Sequence, residues 1–470
     1  MSDMRHSLKL AFYGDDFTGS TDALEVLAFA GMQTALLLKP PTPEVLAHFP
    51  KLDAVGVAGD SRAMTPAEMD AHLPQVFTAL AGCGAPIVHY KVCSTFDSSP
   101  GIGSIGRTME IAQPIFRNSF IPVVGSTPAL QRYCLFGNLF ARAGTDGRMY
   151  RLDRHPIMSV HPVTPADDSD LLVHLKRQTA MTVARLDFPA IEPGLDPAAA
   201  ALNDVLAQKP AAVLIDSASE RQLTTVGGLL QRLSQKEAPL FVVGPSGVEY
   251  ALTQFWREGG QLGASDPAYE SFSEAGQVLA ISGSASKLSM QQIDAALAAG
   301  FHGIAIDAVP LLDDARWQAA VAALVAEVLA TLASGRSVIL HTARGPDDPR
   351  IEQTLDALRA RGWSTERARQ EGGRLLGQRL GEVARAVLQQ RPLRRLLLSG
   401  GDTSSQVTQA LAPAGLVVAA RLTRGAPLCR FVAPGQPWLD GVEVALKGGQ
   451  MGDANFFETA RAGTRLVSAG

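Results

Sequence analysis

The sequence predicts an α/β protein of two domains, each with a mostly parallel sheet flanked by helices. Short apolar runs alternate with longer segments of helical periodicity along the chain. Most of these runs are apolar without alternation, as expected of strands that are covered on both faces of a parallel sheet. The length of 470 residues exceeds what one hydrophobic core usually organises, so two domains are expected.

The predicted strands follow one another at short intervals. In the first half of the chain they are 8–13, 34–38, 54–58, 86–92, 121–124, 181–186 and 211–215. In the second half they are 240–243, 278–282, 303–306, 338–341, 395–398, 416–420 and 442–446. Helical segments such as 22–30 and 355–360 lie between them, and this alternation favours α/β architecture.

A polar segment interrupts the alternation just past the midpoint of the chain. Residues 258–276 read EGGQLGASDPAYESFSEAG and are mostly small or polar. Such a composition is typical of a flexible connection. We therefore predict an N-terminal domain over 1–257, a linker over 258–276 and a C-terminal domain over 277–470.

Composition and charge exclude several classes of function. The formal net charge is −4 and the basic residues are dispersed, which argues against a nucleic-acid partner. The densest basic cluster, at 391–395, has three arginines beside an apolar strand and indicates a solvated strand entry. Residues 1–9 are polar, and no apolar run approaches the ~18 residues of a membrane span. The four cysteines form no Cys-x-x-Cys pair, so we expect a cytoplasmic protein without structural zinc.

The first motif is GDDFTG at 14–19, where a predicted strand ends in two adjacent carboxylates and a helix follows. A carboxylate in this position can hold a substrate hydroxyl or accept a proton from it. Helix capping accounts well for one aspartate but poorly for two. We therefore predict that Asp15 and Asp16 are catalytic.

The second motif, KVCSTFDSSP at 91–100, combines a lysine, several hydroxyls and a carboxylate at a strand end. These groups suit an acid with several hydroxyl groups, and a polar turn with a solvated lysine is the alternative. The candidate binding residues are Lys91, Ser94, Thr95 and Asp97. Cys93 has no obvious base nearby in the sequence, so we interpret it as a packed thiol.

Two further polar stretches carry less information. Residues 101–106 match G-x-G-x-x-G formally, but they do not directly follow a strand and lack an acidic residue about twenty positions on. An anion-binding turn before a helix at 107–112 is therefore favoured over an NAD-dependent dehydrogenase. The stretch 161–170 places histidine beside carboxylates, and a helix N-cap cluster is favoured over a metal site.

Gly-rich turns follow several predicted strands of the second half, at 244–247, 282–286, 341–345, 399–404 and 447–449. Ligands of open α/β sheets bind beyond the carboxyl ends of the strands, so the recurrence indicates one ligand rim. Glycine lets backbone N–H groups approach an anion, although turn formation and helix capping also select these residues. No turn ends in the Gly-Lys-Ser/Thr of a Walker A loop. The candidates for phosphate contact are Gly400, Gly401, Asp402, Thr403, Lys447, Gly448 and Gly449, with a surface lysine as the alternative for Lys447.

Taken in order, these segments resemble the four-carbon acid sugar kinase family, formerly a family of unknown function. DDFTG at 15–19 resembles its opening signature, and 90–98 its second block. The turns at 282–284, 400–403 and 447–449 resemble blocks of its nucleotide-binding domain. The resemblance implies ATP-dependent phosphorylation of the terminal hydroxyl of a tetronate-like acid, with the acid in the N-terminal domain and ATP in the C-terminal domain. It assigns Asp15, Asp16, Lys91, Ser94, Thr95 and Asp97 to the acid site, and Ser284, Gly400, Gly401, Asp402, Thr403 and Gly449 to the nucleotide site.

The second block departs from the commoner family pattern. Many members carry Ser-Thr-Leu-Arg-Gly-Asn, whereas residues 94–99 read STFDSS and lack the arginine. This version resembles the branch that acts on 3-oxo-tetronates or on the related branched acid 3-oxo-isoapionate. The departure favours these oxo acids, and threonate or erythronate is the further alternative.

The kinase hypothesis assigns positioning and electrostatic roles to these groups. One aspartate of the pair orients or deprotonates the attacking hydroxyl, and Mg²⁺ with the Gly-rich turns holds ATP; Asp402 is a candidate Mg²⁺ ligand. The partners are then a sugar acid and ATP, without nucleic acid or membrane, and a homodimer is compatible with the sequence. A non-catalytic sugar-acid sensor is the alternative, but it leaves the C-terminal glycine turns without a role.

Overall fold

The structure is a computed structural model that describes residues 8–49, 51–144, 147–161, 163–234, 239–263, 265 and 267–464. The chain forms two compact units, 1–265 and 266–470. Most of the polar stretch predicted at 1–9 and residues 264 and 266 of the predicted linker lie outside the described residues. In the part of the chain that the structure describes, no helix is long and apolar enough to cross a membrane.

The N-terminal unit, 1–265, contains a parallel sheet and a small antiparallel sheet. Its strands are β1 (Leu10–Gly14), β2 (Thr34–Leu37), β3 (Ala54–Ala58), β4 (Ile87–Lys91), β5 (Ile121–Val124), β6 (Arg132–Leu135), β7 (Asn138–Arg142), β8 (Met149–Arg151), β9 (Val183–Leu186), β10 (Ala212–Ile215) and β11 (Leu240–Gly244). Its helices are α1 (Phe17–Phe29), α2 (Pro43–Leu46), α3 (Pro66–Gly82), α4 (Ile105–Phe116), α5 (Leu171–Lys176), α6 (Phe188–Ile191), α7 (Leu195–Leu206), α8 (Glu220–Leu233) and α9 (Gly247–Glu258).

The parallel sheet of this unit has the order β2-β3-β1-β4-β11-β5-β10-β9. Every residue of β1 and β4 is buried, as the unbroken apolar runs of the sequence predict for a sheet covered on both faces. The carboxyl ends of β3, β1, β4 and β11 therefore lie side by side. The residues that follow these strands meet at one edge of the sheet.

The antiparallel sheet β6-β7-β8 was not predicted. Along β7, buried Leu139 and Ala141 alternate with more exposed neighbours, so the segment lacks the unbroken apolar run on which the strand predictions depended. Asp216, which follows β10, accepts backbone hydrogen bonds from Phe136 (2.5 Å) and Gly137 (3.1 Å) in the β6–β7 turn. This carboxylate therefore fixes the small sheet to the carboxyl edge of the large one.

The C-terminal unit, 266–470, is built on one sheet of the order β13-β14-β12-β15-β18-β17-β16. Its strands are β12 (Leu279–Ser282), β13 (His302–Ala305), β14 (Val338–His341), β15 (Arg395–Ser399), β16 (Gly415–Thr423), β17 (Ala426–Val432) and β18 (Glu443–Lys447). Its helices are α10 (Lys287–Ala298), α11 (Ala308–Leu311), α12 (Trp317–Ala333), α13 (Pro349–Arg359), α14 (Thr365–Gln390), α15 (Gly401–Leu411) and α16 (Phe456–Ala462).

This second sheet is mostly parallel, but β17 runs antiparallel to both β16 and β18. A tight turn at Arg424 and Gly425 joins β16 to β17, and Gly425 has a φ of 78°. A hairpin of this kind forces antiparallel pairing. The predicted fold class, two α/β domains with mostly parallel sheets, is confirmed, whereas β17 was missed.

Two local predictions were wrong. Helix α1 begins at Phe17 rather than at Asp22, because Asp16 caps it by accepting the Gly19 amide at 2.7 Å. The arginine cluster at 391–395 is only partly a solvated strand entry, since Arg395 is fully buried. Arg395 Nε donates to Glu443 Oε2 at 2.9 Å across the β15–β18 pair, and this partner makes burial of the charge tolerable.

Candidate active site

Asp15 and Asp16 follow β1 at the centre of the carboxyl edge. The Asp15 amide donates to the Lys91 carbonyl oxygen at 2.9 Å, so the ends of β1 and β4 are joined at this point. Asp15 is almost fully buried, whereas the side chain of Asp16 is 29% exposed. The two carboxylates are thus adjacent in sequence but differ in their access to a ligand.

Arg62, which sequence reasoning missed, bridges the two carboxylates. Its Nε and Nη2 donate to Asp15 at 3.1 and 2.6 Å, and its Nη1 donates to Asp16 Oδ2 at 2.7 Å. The Arg62 amide also donates to the Asp15 carbonyl oxygen at 2.9 Å. Burial raises the pKa of Asp15 above its ordinary value, the Arg62 guanidinium opposes that shift, and Asp16 adds to it. The arginine holds both carboxylates in fixed orientations.

Lys91, at the end of β4, is buried beside these carboxylates. Its Nζ lies 3.5 Å from Asp22 Oδ2 in α1. Burial lowers the pKa of Lys91, but Asp22, Asp16 and Asp15 outweigh that effect and leave the pKa raised. The predicted charged lysine is therefore present, and Asp22, which sequence reasoning missed, is its ion-pair partner.

Thr95 and Asp97 lie in the turn after β4 and contact each other. Thr95 Oγ1 donates to Asp97 Oδ1 at 2.7 Å and lies 3.0 Å from Cys93 Sγ. Burial, reinforced by Asp97, raises the pKa of Cys93 to about 11. A thiol with that pKa is protonated near neutrality and is a poor nucleophile. Ser94 is only half-buried in the same turn.

His174 of α5 and Gln178, which follows that helix, fix this turn. Ser98 Oγ lies 2.7 Å from His174 Nε2 and accepts from Gln178 Nε2 at 2.9 Å. Asp170 caps α5 by accepting the Leu172 amide at 2.9 Å, as the N-cap interpretation of 161–170 requires. Pro162 of that stretch lies outside the described residues.

Most amides of the turn at 101–106 are already engaged within the protein. The Ile105 and Gly106 amides donate to Gln178 Oε1 at 2.8 and 3.3 Å, and Ser104 Oγ accepts the Arg107 amide at 3.0 Å. The first turn of α4 is thus satisfied by side chains of the protein itself. The predicted anion-binding turn is not found here, because its donors are already engaged.

Three glycine turns of the C-terminal unit meet after the adjacent strands β12, β15 and β18. The Gly400 amide donates to the Lys447 carbonyl oxygen at 2.9 Å, and the Gly283 amide donates to the Ser399 carbonyl oxygen at 2.9 Å. Gly400 has a φ of 108°, a conformation that favours glycine.

A side chain at Gly283 or Gly449 would fill the space between the turns. A Cβ on Gly449 would lie 2.5 Å from Ser284 Oγ, and one on Gly283 would fall on Thr403 Oγ1. Both clashes would be with hydroxyls at the rim of the turns. The structure therefore brings together the predicted residues Ser284, Gly400, Gly401, Asp402, Thr403, Lys447, Gly448 and Gly449.

The three glycine turns form a cradle, and Lys447 gives this cradle a positive charge. The side chain is buried, its Nζ donates to the Gly448 carbonyl oxygen at 3.0 Å, and no described carboxylate lies within ion-pair distance. Burial lowers the pKa of Lys447 to about 8. The surface-lysine alternative is thus wrong, and a buried cation without a counter-ion fits a bound anion.

Unpartnered hydroxyls surround the same turns. The Oγ atoms of Ser282, Ser399 and Ser404 are buried without a hydrogen-bond partner among the described residues. Asp402 lies in the first turn of α15, and its carboxylate makes no hydrogen bond or ion pair with a described residue. The described part of the chain contains no cluster of three or more His, Cys, Asp or Glu suited to a metal. One free carboxylate beside an anion cradle nevertheless fits Mg²⁺, which usually binds through one or two carboxylates together with substrate phosphates.

The carboxyl edge of the N-terminal sheet and the glycine turns of the C-terminal unit define a class of protein. This class is a two-domain small-molecule kinase with a hydroxyl-handling unit and a phosphate-binding unit. Residues 10–252 match the model of a sugar-binding N-terminal domain, and residues 279–457 match that of a nucleotide-binding C-terminal domain. The chain belongs to the four-carbon acid sugar kinase family. It is an ATP-dependent sugar-acid kinase, as the sequence predicts, and the sensor and dehydrogenase alternatives are set aside.

Known proteins resemble the chain over nearly its whole length. The 3-oxo-isoapionate kinase of Paraburkholderia graminis is 43% identical over 462 residues, which cover 98% of this chain and 96% of the relative. The 3-oxo-tetronate kinase of Pseudomonas fluorescens is 30% identical over 453 residues, or 96% of each chain. A solved structure from Salmonella typhimurium LT2 has a TM-score of 0.75 at 25% identity, covering 96% of this chain and 98% of that one. A Haemophilus influenzae structure with a TM-score of 0.72 at 21% identity, covering 96% and 99%, shows the fold alone.

Gly19 provides a test of the N-terminal site. A Cβ at this position would fall on Asp16 Oδ1 and lie 2.6 Å from Lys91 Nζ. Gly19→Ala is expected to lower kcat/KM about 100-fold, because small displacements of reacting groups are costly. The melting temperature should fall modestly, because Asp16 Oδ1, which the new Cβ displaces, caps α1 and loss of a cap costs about 1 kcal/mol.

Gly82→Ala is the matched control, because no atom lies within 4 Å of its new Cβ. Steady-state kinetics and the melting temperature of both variants check the prediction. Equal activity of the two variants would show that the positions of Asp16 and Lys91 do not matter for turnover.

Proposed function

We propose that the chain phosphorylates the terminal hydroxyl of 3-oxo-isoapionate. The observation that carries this proposal is the 43% identity, over 98% of the chain, to a 3-oxo-isoapionate kinase. The identities to the 3-oxo-tetronate kinases of Pseudomonas fluorescens and Methylobacterium radiotolerans are 30% and 31%. A 3-oxo-tetronate is the second candidate, because these relatives also match nearly the whole chain.

In this proposal the N-terminal domain, 1–257, holds the acid at the carboxyl edge of its parallel sheet, and residues 258–276 link it to the nucleotide-binding domain, 277–470. The residues that hold the acid are Lys91, Ser94, Thr95 and Asp97. The arguments for them are the ammonium at the end of β4 and the polar turn that follows it. Hydroxyl and carboxylate side chains match the hydroxyl groups of a sugar acid.

Asp16 is the proposed base. Asp15 is buried and both of its oxygens accept from Arg62, so its role is to hold the arginine. Asp16 is the more exposed carboxylate of the pair. A carboxylate at this position can accept the proton of the attacking hydroxyl as the phosphoryl group is transferred.

The C-terminal domain binds ATP in this proposal. Amides at the start of α15, which follows Gly400, and of the turn at Gly449, together with Lys447, would contact the phosphates. Asp402 would hold Mg²⁺, which neutralises phosphate charge during transfer. The requirement for ATP and the free thiols of Cys83, Cys93 and Cys134 favour a cytoplasmic location.

A comparison of sugar acids tests the substrate. ATP consumption should be measured with 3-oxo-isoapionate, 3-oxo-tetronates, threonate and erythronate. We expect the highest kcat/KM with 3-oxo-isoapionate, and little turnover of the two acids that lack the oxo group. A higher kcat/KM with a 3-oxo-tetronate would replace the first candidate by the second.

Asp16→Asn tests the base. The amide keeps an oxygen that can cap α1 but cannot accept the proton, so kcat should fall by about 10²–10⁴-fold, with little change in the KM for ATP. Asp53→Asn is the matched control, because Asp53 also accepts a backbone amide, that of Gln33, at 2.8 Å. Near-normal turnover of Asp16→Asn at saturating substrate would remove Asp16 as the base.

From the lowered pKa of Lys447 we predict that nucleotide binding takes up protons. Its pKa of about 8 leaves much of it neutral at pH 8.5, and a bound phosphate favours the charged form and raises the pKa. Binding of ADP at pH 8.5 should therefore take up protons. At pH 6.5 the lysine is protonated in both states, so no uptake from this group is expected.

Calorimetric titration with ADP in two buffers of different ionisation enthalpy measures this uptake. Lys447→Met should abolish it and weaken ADP binding about 10- to 100-fold, the loss expected for a charged hydrogen bond. Unchanged uptake in the variant would assign the proton to another group and remove Lys447 from the phosphate site.

A further inference from the structure

The carboxyl edge near β1 carries more negative than positive charge. Arg62 and Lys91 are its cations, and Asp15, Asp16 and Asp22 are their partners at ion-pair distance. A sugar acid brings a further carboxylate, which these aspartates repel in a partly buried site. The substrate carboxylate therefore needs a cation that no side chain of the protein already neutralises.

Arg132 is such a cation, and it lies at the same edge of the sheet. Its backbone pairs with that of Thr127, with the Thr127 amide donating to the Arg132 carbonyl oxygen at 3.0 Å and the Arg132 amide to the Thr127 carbonyl oxygen at 3.1 Å. Thr127 comes shortly after the end of β5, which is two positions from β4 in the sheet. Arg132 thus begins β6 near the end of β5, at the same carboxyl edge as the strands that carry the proposed acid site.

The guanidinium of Arg132 is held by backbone groups and lacks an acidic partner. Nη1 donates to the carbonyl oxygens of Leu130 (2.9 Å), Gln131 (3.3 Å) and Arg142 (3.4 Å). Nε is buried without a hydrogen-bond partner among the described residues, and no described carboxylate lies within ion-pair distance. A half-buried cation whose Nε is buried without a partner is stabilised by an anionic ligand.

The charge of Arg132 is felt in the turn after β4. Burial lowers the pKa of Arg132, and the carboxylate of Asp97 opposes that shift. Cys93 and Asp97 flank Thr95 in the turn that we propose to hold the hydroxyl groups. The cation therefore lies within electrostatic reach of the acid site.

A second unpartnered group lies close to Thr127. Ser246 Oγ is fully buried without a partner in the described part of the chain, immediately before α9. The neighbouring Gly247 amide donates to Thr127 Oγ1 at 3.0 Å, so the start of α9 is tied to the residue that pairs with Arg132. A buried hydroxyl at a helix N-terminus is a suitable second donor to a carboxylate.

The protein holds Arg132 in place through the rest of β6. The Cys134 amide donates to the Ser217 carbonyl oxygen at 3.0 Å, and the hydroxyls of Ser126 and Ser217 also contact each other. Ser217 follows β10 and the anchoring Asp216. Because these contacts come from the rigid sheet, little ordering is required of the arginine when a ligand binds.

We propose that Arg132 binds the carboxylate of the sugar acid, with Ser246 Oγ as a second donor. The proposal rests on the proposed function, phosphorylation of a sugar acid in the N-terminal domain. It gives the substrate one orientation, with its carboxylate at the β5–β6 side and its terminal hydroxyl at Asp16. Arg132 is then a specificity-determining residue that distinguishes an acid from a neutral sugar.

The test compares the preferred sugar acid with its analogue in which the carboxylate is reduced to an alcohol. Arg132→Gln should raise the KM for the acid about 100-fold, as expected for the loss of a charged hydrogen bond, and change kcat and the KM for ATP little. The KM for the neutral analogue should not rise. Arg132→Lys keeps the charge without the planar fork and should lie between the wild type and Arg132→Gln.

Arg142→Gln is the matched control in the same small sheet. Arg142 is exposed and donates to the Gly147 carbonyl oxygen at 2.9 Å and to Gln131 Oε1 at 2.9 Å, and its replacement should leave the preference for the acid unchanged. If Arg132→Gln raises KM equally for the acid and the neutral analogue, its role is structural and the proposal is overturned. An unchanged KM for the acid overturns it as well, whereas a wild-type enzyme that phosphorylates no sugar acid would instead overturn the proposed function.

Discussion

The N-terminal site depends on the Arg62 guanidinium that joins Asp15 to Asp16. Two adjacent carboxylates, one of them buried at the end of a central strand, repel each other and lose hydration, and removing the partner of such a buried charge typically costs about 3–5 kcal/mol. Arg62 is that partner, and it stabilises the two carboxylates by donating to both. The remaining features follow from that arrangement: Gly19 leaves room for Asp16 and Lys91, and Asp16 is free to cap α1 because its second oxygen is held by the arginine.

The two units use cations in opposite ways. In the N-terminal unit Arg62 and Lys91 are paired with aspartates, which suits a site that must orient a hydroxyl group and accept its proton. In the C-terminal unit Lys447 is buried without a described acidic partner, which suits a site whose ligand supplies the negative charge. The difference in charge balance therefore separates proton chemistry from phosphate binding, consistent with a kinase in which positioning and electrostatics do most of the catalysis.

Much of the fold was predictable, because strands buried on both faces of a parallel sheet appear as unbroken apolar runs, and the motifs at Asp15 and Gly400 follow such runs directly. Features that depend on tertiary contacts were not predictable from the sequence. Arg62 has no local signal, since its partners lie 46 and 47 positions away. The strands β6 to β8 alternate or are short, and Arg395 resembles a surface arginine until the register of β15 against Glu443 is known. The burial of Lys447 could not be predicted from the sequence either, although its position after a strand end could.

The placement of Arg132 has a consequence for how substrate range and chemistry are distributed in the fold. The groups assigned to proton transfer follow β1 and β4, in the middle of a sheet whose strands are buried on both faces and whose geometry is strongly constrained. Arg132 instead belongs to the small antiparallel sheet, which is attached to that edge through Asp216, Ser217 and the backbone pair with Thr127. A change in this attached segment can alter where an acid group is bound without moving the aspartates and Arg62. Recognition of the acid is therefore the property most open to change, whereas the groups that act on the hydroxyl are constrained by the sheet itself.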